Sequence, residues 1–119
     1  MTMATVDIVS DDTERLVLAV SGEIDMANAA AMQQELLSAI SNQPTSVSVD
    51  LSGLTFLDSA GLRILFTLAD RLHVLQIEFE LVVPVDSVPR RAIELAGFPS
   101  LMTLRTPTEP PRAVTVTEE

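Results

Sequence analysis

The chain of 119 residues contains no cysteine, lysine, tryptophan or tyrosine. Without cysteine it has no disulfide, no thiolate nucleophile and no thiolate metal site. Without lysine it has neither the phosphate-binding lysine of a P-loop nor a lysine that could form a Schiff base. Without tryptophan and tyrosine there is little from which to build a stacking surface for single-stranded nucleic acid.

Long apolar runs are also missing. No run approaches the roughly 18 residues of a membrane span. Residues 1–12 (MTMATVDIVSDD) have no basic segment followed by an apolar one, so we expect no secretory signal. We therefore expect a cytoplasmic protein without a membrane segment.

Positive charge is scarce, because 17 acidic residues stand against seven arginines and give a net charge of −10. A domain this acidic repels a phosphate backbone, so we expect no direct nucleic-acid partner. Its partners should instead be proteins with a basic face. Hydrophobic residues make up 47% of the chain, which is enough for the core of one domain.

The hydrophobic patterns predict eight secondary-structure elements in the order ββαβαβαβ. They are a hairpin over 6–20, a helix over 27–41, a strand over 46–51, a helix from Asp58–Ser59 to about His73, a strand over 77–83, a helix over 88–96 capped by Asp86 or Ser87 with Gly97 after it, and an edge strand over 101–105. The alternation of strands and helices predicts an α/β fold, a mixed four- to five-stranded sheet with helices packed on it. One domain should span 1–105, and the Pro-rich residues 106–119 should form a flexible tail.

Two predicted loops follow strands of this sheet, at 21–25 (SGEID) and 52–57 (SGLTFL). Loops at the carboxyl ends of parallel strands are where such folds carry their functional groups. We therefore expect the functional site to lie on these two segments and on the helix that begins directly after the second one.

The predicted helix after residue 58 has two distinct faces at about 100° per residue. Its core face is apolar: Gly61, Ile64, Leu65, Leu68 and Leu72. Its other face is mostly polar: Ser59, Arg63, Phe66, Asp70 and His73. Phe66, flanked by Leu62 and Ala69, is a candidate contact residue on that polar face, unless it folds over a neighbouring loop.

Asp58 and Ser59 stand where the helix begins, and either side chain is a favoured N-cap. A phosphoryl group on Ser59 would meet free backbone N–H groups and the positive end of the helix dipole. Phosphorylation should therefore leave the helix folded and add negative charge to the exposed face.

Three segments carry a resemblance to a known family. Residues 50–62 (DLSGLTFLDSAGL) closely resemble the signature of STAS domains, specifically those of bacterial anti-anti-sigma factors. Residues 20–25 (VSGEID) and 94–98 (ELAGF) are similar to two further segments of that family, in the same order and spacing. The resemblance covers about residues 5–105.

The resemblance implies a binding protein and not an enzyme, with no cofactor and no metal. Such a protein binds an anti-sigma factor that is also a serine-protein kinase, and so frees the sigma factor. The kinase phosphorylates the residue matching Ser59, which ends the interaction, and a serine phosphatase reverses the modification. We expect a monomer, because the switch exchanges partners. The residues expected at the partner-binding surface are Glu23, Asp25, Asn28, Thr55, Phe56, Asp58, Ser59, Leu62, Arg63 and Phe66.

This sequence departs from the family at two positions near Ser59. Ala60 replaces a second small polar residue, which leaves one hydroxyl at this helix start. Arg63 replaces a glycine, and we hypothesise that Arg63 and Phe66 tune the choice of partner. A third departure is the turn over 71–77, which lacks the glycine usual before the next strand.

Other chemistry has weaker support. Ser59 and the only histidine, His73, lie 14 residues apart on one predicted helix, about 21 Å, so they cannot form a catalytic dyad. Asp11, Asp12 and Glu14 are best explained as a polar hairpin turn. A phosphoacceptor Asp58, as in receiver domains, would need a lysine that the chain lacks. One alternative stays open: a STAS subunit of a transport ATPase or signalling scaffold, in which Ser59 is only a helix cap.

Overall fold

Five strands and three helices follow one another in the predicted order ββαβαβαβ. The computed structural model describes residues 2–11, 14–41, 43–97 and 103–107. Its elements are β1 (Ala4–Asp11), β2 (Arg15–Ile24), α1 (Ala29–Ala39), β3 (Ser46–Leu57), α2 (Ser59–Val74), β4 (Glu78–Val82), α3 (Val88–Leu95) and β5 (Thr103–Arg105). Among the described helices, none is long and apolar enough to cross a membrane.

The strands form one mixed sheet in the order β1-β2-β3-β4-β5. β1 pairs antiparallel with β2, and β2, β3, β4 and β5 pair in parallel. The α/β class and the mixed sheet are therefore confirmed. Because β2, β3 and β4 run in the same direction, their carboxyl ends meet at one edge of the sheet.

The hydrophobic core lies between one face of this sheet and the helices. Leu18 of β2, Val49 of β3 and Leu81 of β4 lie side by side in the register and are fully buried. The predicted core face of α2 is confirmed, since Gly61, Ile64, Leu65, Leu68 and Leu72 are all buried. The apolar pattern of α2 thus sets which side of this helix faces the sheet.

The two predicted loops at 21–25 and 52–57 were wrong, because β2 continues to Ile24 and β3 to Leu57. The register between β2 and β3 shifts twice, so β3 contains two bulges. Each bulge adds one residue to β3. The buried residues Leu51, Leu54 and Leu57 therefore fall three apart instead of two, and the strand does not show the alternation from which strands are recognised.

Close packing of α2 against these strand ends depends on Gly61. A Cβ at this position would overlap the side chain of Leu57 and press against Ile24. Glycine therefore lets the first turn of α2 sit directly on the ends of β2 and β3.

Several local predictions are refined by the structure. The first helix begins at Ala29 and not at 27, because residues 26–28 form a turn. Ser87, not Asp86, caps α3 and accepts a hydrogen bond from the N–H of Arg90. Gly97 follows this helix as predicted, and its φ angle is 75°. Gln76 takes the left-handed conformation, φ 61°, in the turn that lacks a glycine. Phe98, residues 101–102 of the predicted edge strand, and the tail from 108 onward lie outside the described residues.

Candidate protein-docking site at the carboxyl edge of the sheet

The two segments expected to carry the site lie side by side. Glu23 pairs with Phe56 and Ile24 with Leu57 at the last positions of the β2–β3 ladder. The N–H of Asp58 then donates to the carbonyl of Ile24 at 3.3 Å. The end of β2 and the start of α2 are thereby joined into one surface.

The start of α2 divides two roles between adjacent residues. Asp58 is the N-cap, and its Oδ1 accepts hydrogen bonds from the N–H groups of Ala60 (2.9 Å) and Gly61 (3.1 Å). Ser59 is the first helical residue and is exposed. Its hydroxyl makes no hydrogen bond to any residue in the described part of the chain. Of the two predicted caps, Asp58 is therefore the cap and Ser59 is not.

The loop from β2 to α1 is held by a local network around Asp25. The carboxylate of Asp25 accepts hydrogen bonds from the hydroxyl of Thr2 (2.7 Å) and the N–H of Ala27 (2.8 Å). The side chain of Asn28 accepts from the N–H of Asp25 (3.0 Å) and donates to the carbonyl of Glu23 (2.9 Å). The bond from Thr2, followed by that from Ala27, lowers the pKa of Asp25. Asp25 and Asn28 thus shape this loop.

Thr55 ties the second bulge of β3 to the neighbouring strand. It is the extra residue between the pairs Gly22–Leu54 and Glu23–Phe56. Its hydroxyl donates to the carbonyl of Gly22 at 3.1 Å. This bond holds the bulge directly before Phe56, which pairs with Glu23, so Thr55 helps to position the site.

Apolar side chains add a hydrophobic component to the surface. The side chain of Phe56 is 42% exposed, which is unusual for a large apolar residue beside a buried strand. Leu62 and Phe66 are partly buried and pack against the core. Phe66 is therefore less exposed than the sequence predicted, because its side chain packs in part against the core. Its role in binding stays a prediction.

Met26 was missed by the sequence analysis. It follows Asp25 in the loop and is 83% exposed, more than any other large hydrophobic residue described. Exposed apolar side chains beside charged ones are typical of protein-docking surfaces. The signal was present in the sequence as one large apolar residue between Asp25 and the polar Asn28.

Charge at this edge is predominantly acidic. Glu23 is exposed, while Asp25 and Asp58 are half-buried beside it. Arg63 lies one turn along α2 from Ser59, is exposed, and brings a positive charge to the same face. The surface therefore combines carboxylates, two exposed apolar groups, one exposed hydroxyl and one guanidinium.

Among the described residues, the geometry brings neither a serine–histidine pair nor a metal-binding set together. Ser59 and His73 lie near opposite ends of α2, which spans residues 59–74, so they are about 21 Å apart at the helical rise per residue. In the ranges that the structure describes, no group of three or more His, Cys, Asp or Glu side chains could hold a metal ion.

Comparisons with known proteins agree with the fold and with the sequence resemblance. The family model of the STAS domain matches residues 5–110. Anti-sigma-F factor antagonist RsfB of Mycobacterium tuberculosis is 37% identical over 90 residues, which cover 76% of this chain and 72% of RsfB. The crystal structure of an anti-sigma factor antagonist from Mycobacterium paratuberculosis is 33% identical, with a TM-score of 0.76 over 89% of this chain and 87% of the other.

A more distant structure supports the fold alone. The anti-sigma factor antagonist SpoIIAA in its unphosphorylated form is 21% identical, with a TM-score of 0.66 over 88% of this chain and 90% of SpoIIAA. The match of the family model over most of the chain, together with the identity to RsfB, establishes the relationship. This chain belongs to the STAS-domain family.

Proposed function

We propose that this chain is an anti-sigma factor antagonist, which binds an anti-sigma factor and so releases the sigma factor held by it. The names of RsfB and of the Mycobacterium paratuberculosis protein support this assignment, because both are anti-sigma factor antagonists and both exceed 30% identity. In this role the chain acts in the cytoplasm by binding and not by catalysis. The docking surface is the edge formed by Glu23, Asp25, Met26, Phe56 and the start of α2.

The same proposal makes Ser59 the switch. The anti-sigma factor, acting as a serine kinase, transfers the γ-phosphoryl group of ATP to Oγ of Ser59. A new O–P bond forms, the bond to the β-phosphate bridging oxygen breaks, and ADP and the hydroxyl proton leave. The observation that supports this most is the exposed hydroxyl of Ser59, which has no hydrogen-bond partner among the described residues because Asp58 caps the helix instead.

Phosphorylation ends binding for an electrostatic reason. The product carries about −1.5 to −2 charges in the middle of a surface that is already acidic. Burying this group against a partner without a designed counter-ion costs several kcal/mol. A loss of about 3 kcal/mol lowers the affinity by a factor of roughly 150. A serine phosphatase that hydrolyses the phosphoester restores the docking surface.

The experiment that tests the proposed function is a pull-down from the source cell with identification by mass spectrometry. Wild type, Ser59→Ala and Ser59→Glu are compared, with Ser38→Glu as a matched control, because Ser38 is an exposed serine on α1. Wild type, Ser59→Ala and Ser38→Glu should recover a kinase-like anti-sigma factor, and Ser59→Glu should not.

The opposite result would support the alternative role. If all four proteins recover a transport ATPase or a signalling scaffold to the same extent, Ser59 is not a switch and the proposed function is wrong. If all four recover an anti-sigma factor equally, the antagonist role stands and the phosphorylation switch does not.

A further inference from the structure

Ser59 and Arg63 lie one helical turn apart on the exposed face of α2. We propose that Arg63 is the intramolecular counter-ion of phosphorylated Ser59, so that its guanidinium binds the phosphate within the same chain. This inference rests on the phosphorylation of Ser59 in the proposed function. It gives Arg63 a role within the chain, whereas the sequence predicted only that Arg63 tunes the choice of partner.

Most backbone N–H groups at the start of α2 already donate hydrogen bonds within the chain, so few of them could bind a phosphate on Ser59. The N–H groups of Ala60 and Gly61 donate to Oδ1 of Asp58, and the N–H of Asp58 donates to Ile24. Of the first four N–H groups, which a helix leaves without internal partners, only that of Ser59 lacks an acceptor among the described residues. The sequence predicted that a phosphate on Ser59 would bind free N–H groups of the helix. The Asp58 cap already occupies most of these groups.

The fixed charges near Ser59 also oppose a phosphate. Asp58 is its direct neighbour, and Glu23 of β2 and Asp25 of the next loop lie at the same edge of the sheet. All three are acids, and like charges close together disfavour the doubly ionised phosphate. A stable dianion at this position therefore needs a cation from elsewhere in the surface.

Arg63 is placed to provide that cation. In the described part of the chain its side chain makes no hydrogen bond or ion pair, and it is exposed. Side chains of a helix lean toward its N-terminus, so Arg63 reaches back over the turn that contains Ser59. An acid four residues before a base is the favourable order for such pairs. The forked guanidinium also matches two phosphate oxygens.

Pairing would change the docking surface in two ways at once. Phosphorylation adds negative charge at Ser59, and it also draws the guanidinium of Arg63 away from any acidic group of the partner. The switch in this chain would therefore act on both charges, whereas a relative with glycine at this position has only the first effect.

The test is a titration of the phosphate by ³¹P NMR, with phosphoserine incorporated at position 59 during translation so that no kinase is needed. Phosphorylated wild type is compared with the Arg63→Gln, Arg63→Lys and Arg71→Gln variants at low salt. Arg71 is the matched control, since it is an exposed arginine of the same helix two turns further from Ser59. Folding of each variant is checked by circular dichroism.

We expect the second ionisation of the phosphate in wild type, Arg63→Lys and Arg71→Gln to occur about 0.3 pH units lower than in Arg63→Gln. The difference should disappear in about 1 M salt, where exposed charges are screened within about 3 Å. An identical midpoint in wild type and Arg63→Gln would overturn the inference, and so would an equal rise in Arg71→Gln, which would reflect net charge alone. Because no partner is involved, failure here is distinct from failure of the pull-down.

Discussion

Asp58 and Ser59 are neighbours with opposite relations to the backbone. One carboxylate oxygen of Asp58 accepts hydrogen bonds from two N–H groups of α2. Ser59, one residue later, leaves its hydroxyl in solvent. A side chain that caps a helix is held in one conformation, while a phosphoacceptor must be able to enter the active site of another protein. The division of roles between two residues lets the helix stay capped while the hydroxyl remains accessible.

Removal of the cap should therefore be distinguishable from removal of the hydroxyl. Asp58→Ala should lower the free energy of unfolding by about 1 kcal/mol, because two N–H groups lose their acceptor. Ser59→Ala should change it by less than about 0.5 kcal/mol, as is usual for an exposed residue without partners. Urea denaturation of both variants and wild type measures the two values. A larger loss for Ser59→Ala than for Asp58→Ala would reverse the assignment.

At the level of elements, the short strand β5 pairs with β4 through the backbone, and ionic contacts of Glu80 add to this pairing. Glu80 of β4 accepts hydrogen bonds from Ser48 of β3 (2.8 Å) and from Nη2 of Arg105 of β5 (2.9 Å). Arg15 of β2 adds an ion pair at 3.8 Å. Side chains of three other strands, β2, β3 and β5, thus contact one carboxylate of β4. The hydrogen bond from Arg105 is the main cause that lowers the pKa of Glu80.

This cluster should make stability depend on pH. Because the pKa of Glu80 is lower in the folded chain than its ordinary 4.5, the folded state binds this proton less readily than the unfolded state. The contribution is therefore complete above the ordinary pKa and is lost as the pH falls through the folded pKa. Glu80→Gln should lower the free energy of unfolding at neutral pH by about 1 kcal/mol, and wild type and variant should converge in acid.

Urea denaturation at several pH values, with Glu78→Gln as control, checks this prediction. Glu78 lies on the same strand but is exposed, so its replacement should have little effect at any pH. A gap between wild type and Glu80→Gln that stays constant from neutral to acid pH would contradict the linkage.

For the whole molecule, the net charge of −10 and the acidic edge proposed as the docking surface favour a basic partner. Complementary charges mainly accelerate association, and salt screens them. We expect the association rate with the anti-sigma factor to fall by about tenfold or more between low and high salt, with a much smaller change in the dissociation rate. Surface plasmon resonance at a series of salt concentrations measures both rates.

The matched variants for this prediction are Glu23→Gln and Glu35→Gln. Glu23 is exposed at the docking edge, while Glu35 is exposed on α1. Glu23→Gln should slow association more than Glu35→Gln, although both remove one charge. Equal slowing by both would mean that net charge alone, without its location, governs the encounter.

The sequence by itself determined the element order, the core face of α2 and the family. These follow from local signals, because alternation, helical periodicity and a contiguous motif such as residues 50–62 are carried by neighbouring residues. The position of Ser59 at the start of a helix was predictable for the same reason. The adjacency of residues 21–25 and 52–57 followed from the rule that parallel strands end at the same edge.

Only the tertiary structure decided the strand pairing, the capping and the burial of the individual residues at that edge. The bulges of β3 depend on its pairing with β2, so the loop predicted over 52–57 proved to be a strand with a three-residue period. Asp58 is the cap of α2, and its N–H is bound to the carbonyl of Ile24 at the end of β2. Ser59, one residue later, is therefore not needed as a cap. The partial burial of Phe66 likewise depends on packing against core residues of other elements. Such contacts form only when the chain folds, so no local pattern of residues could specify them.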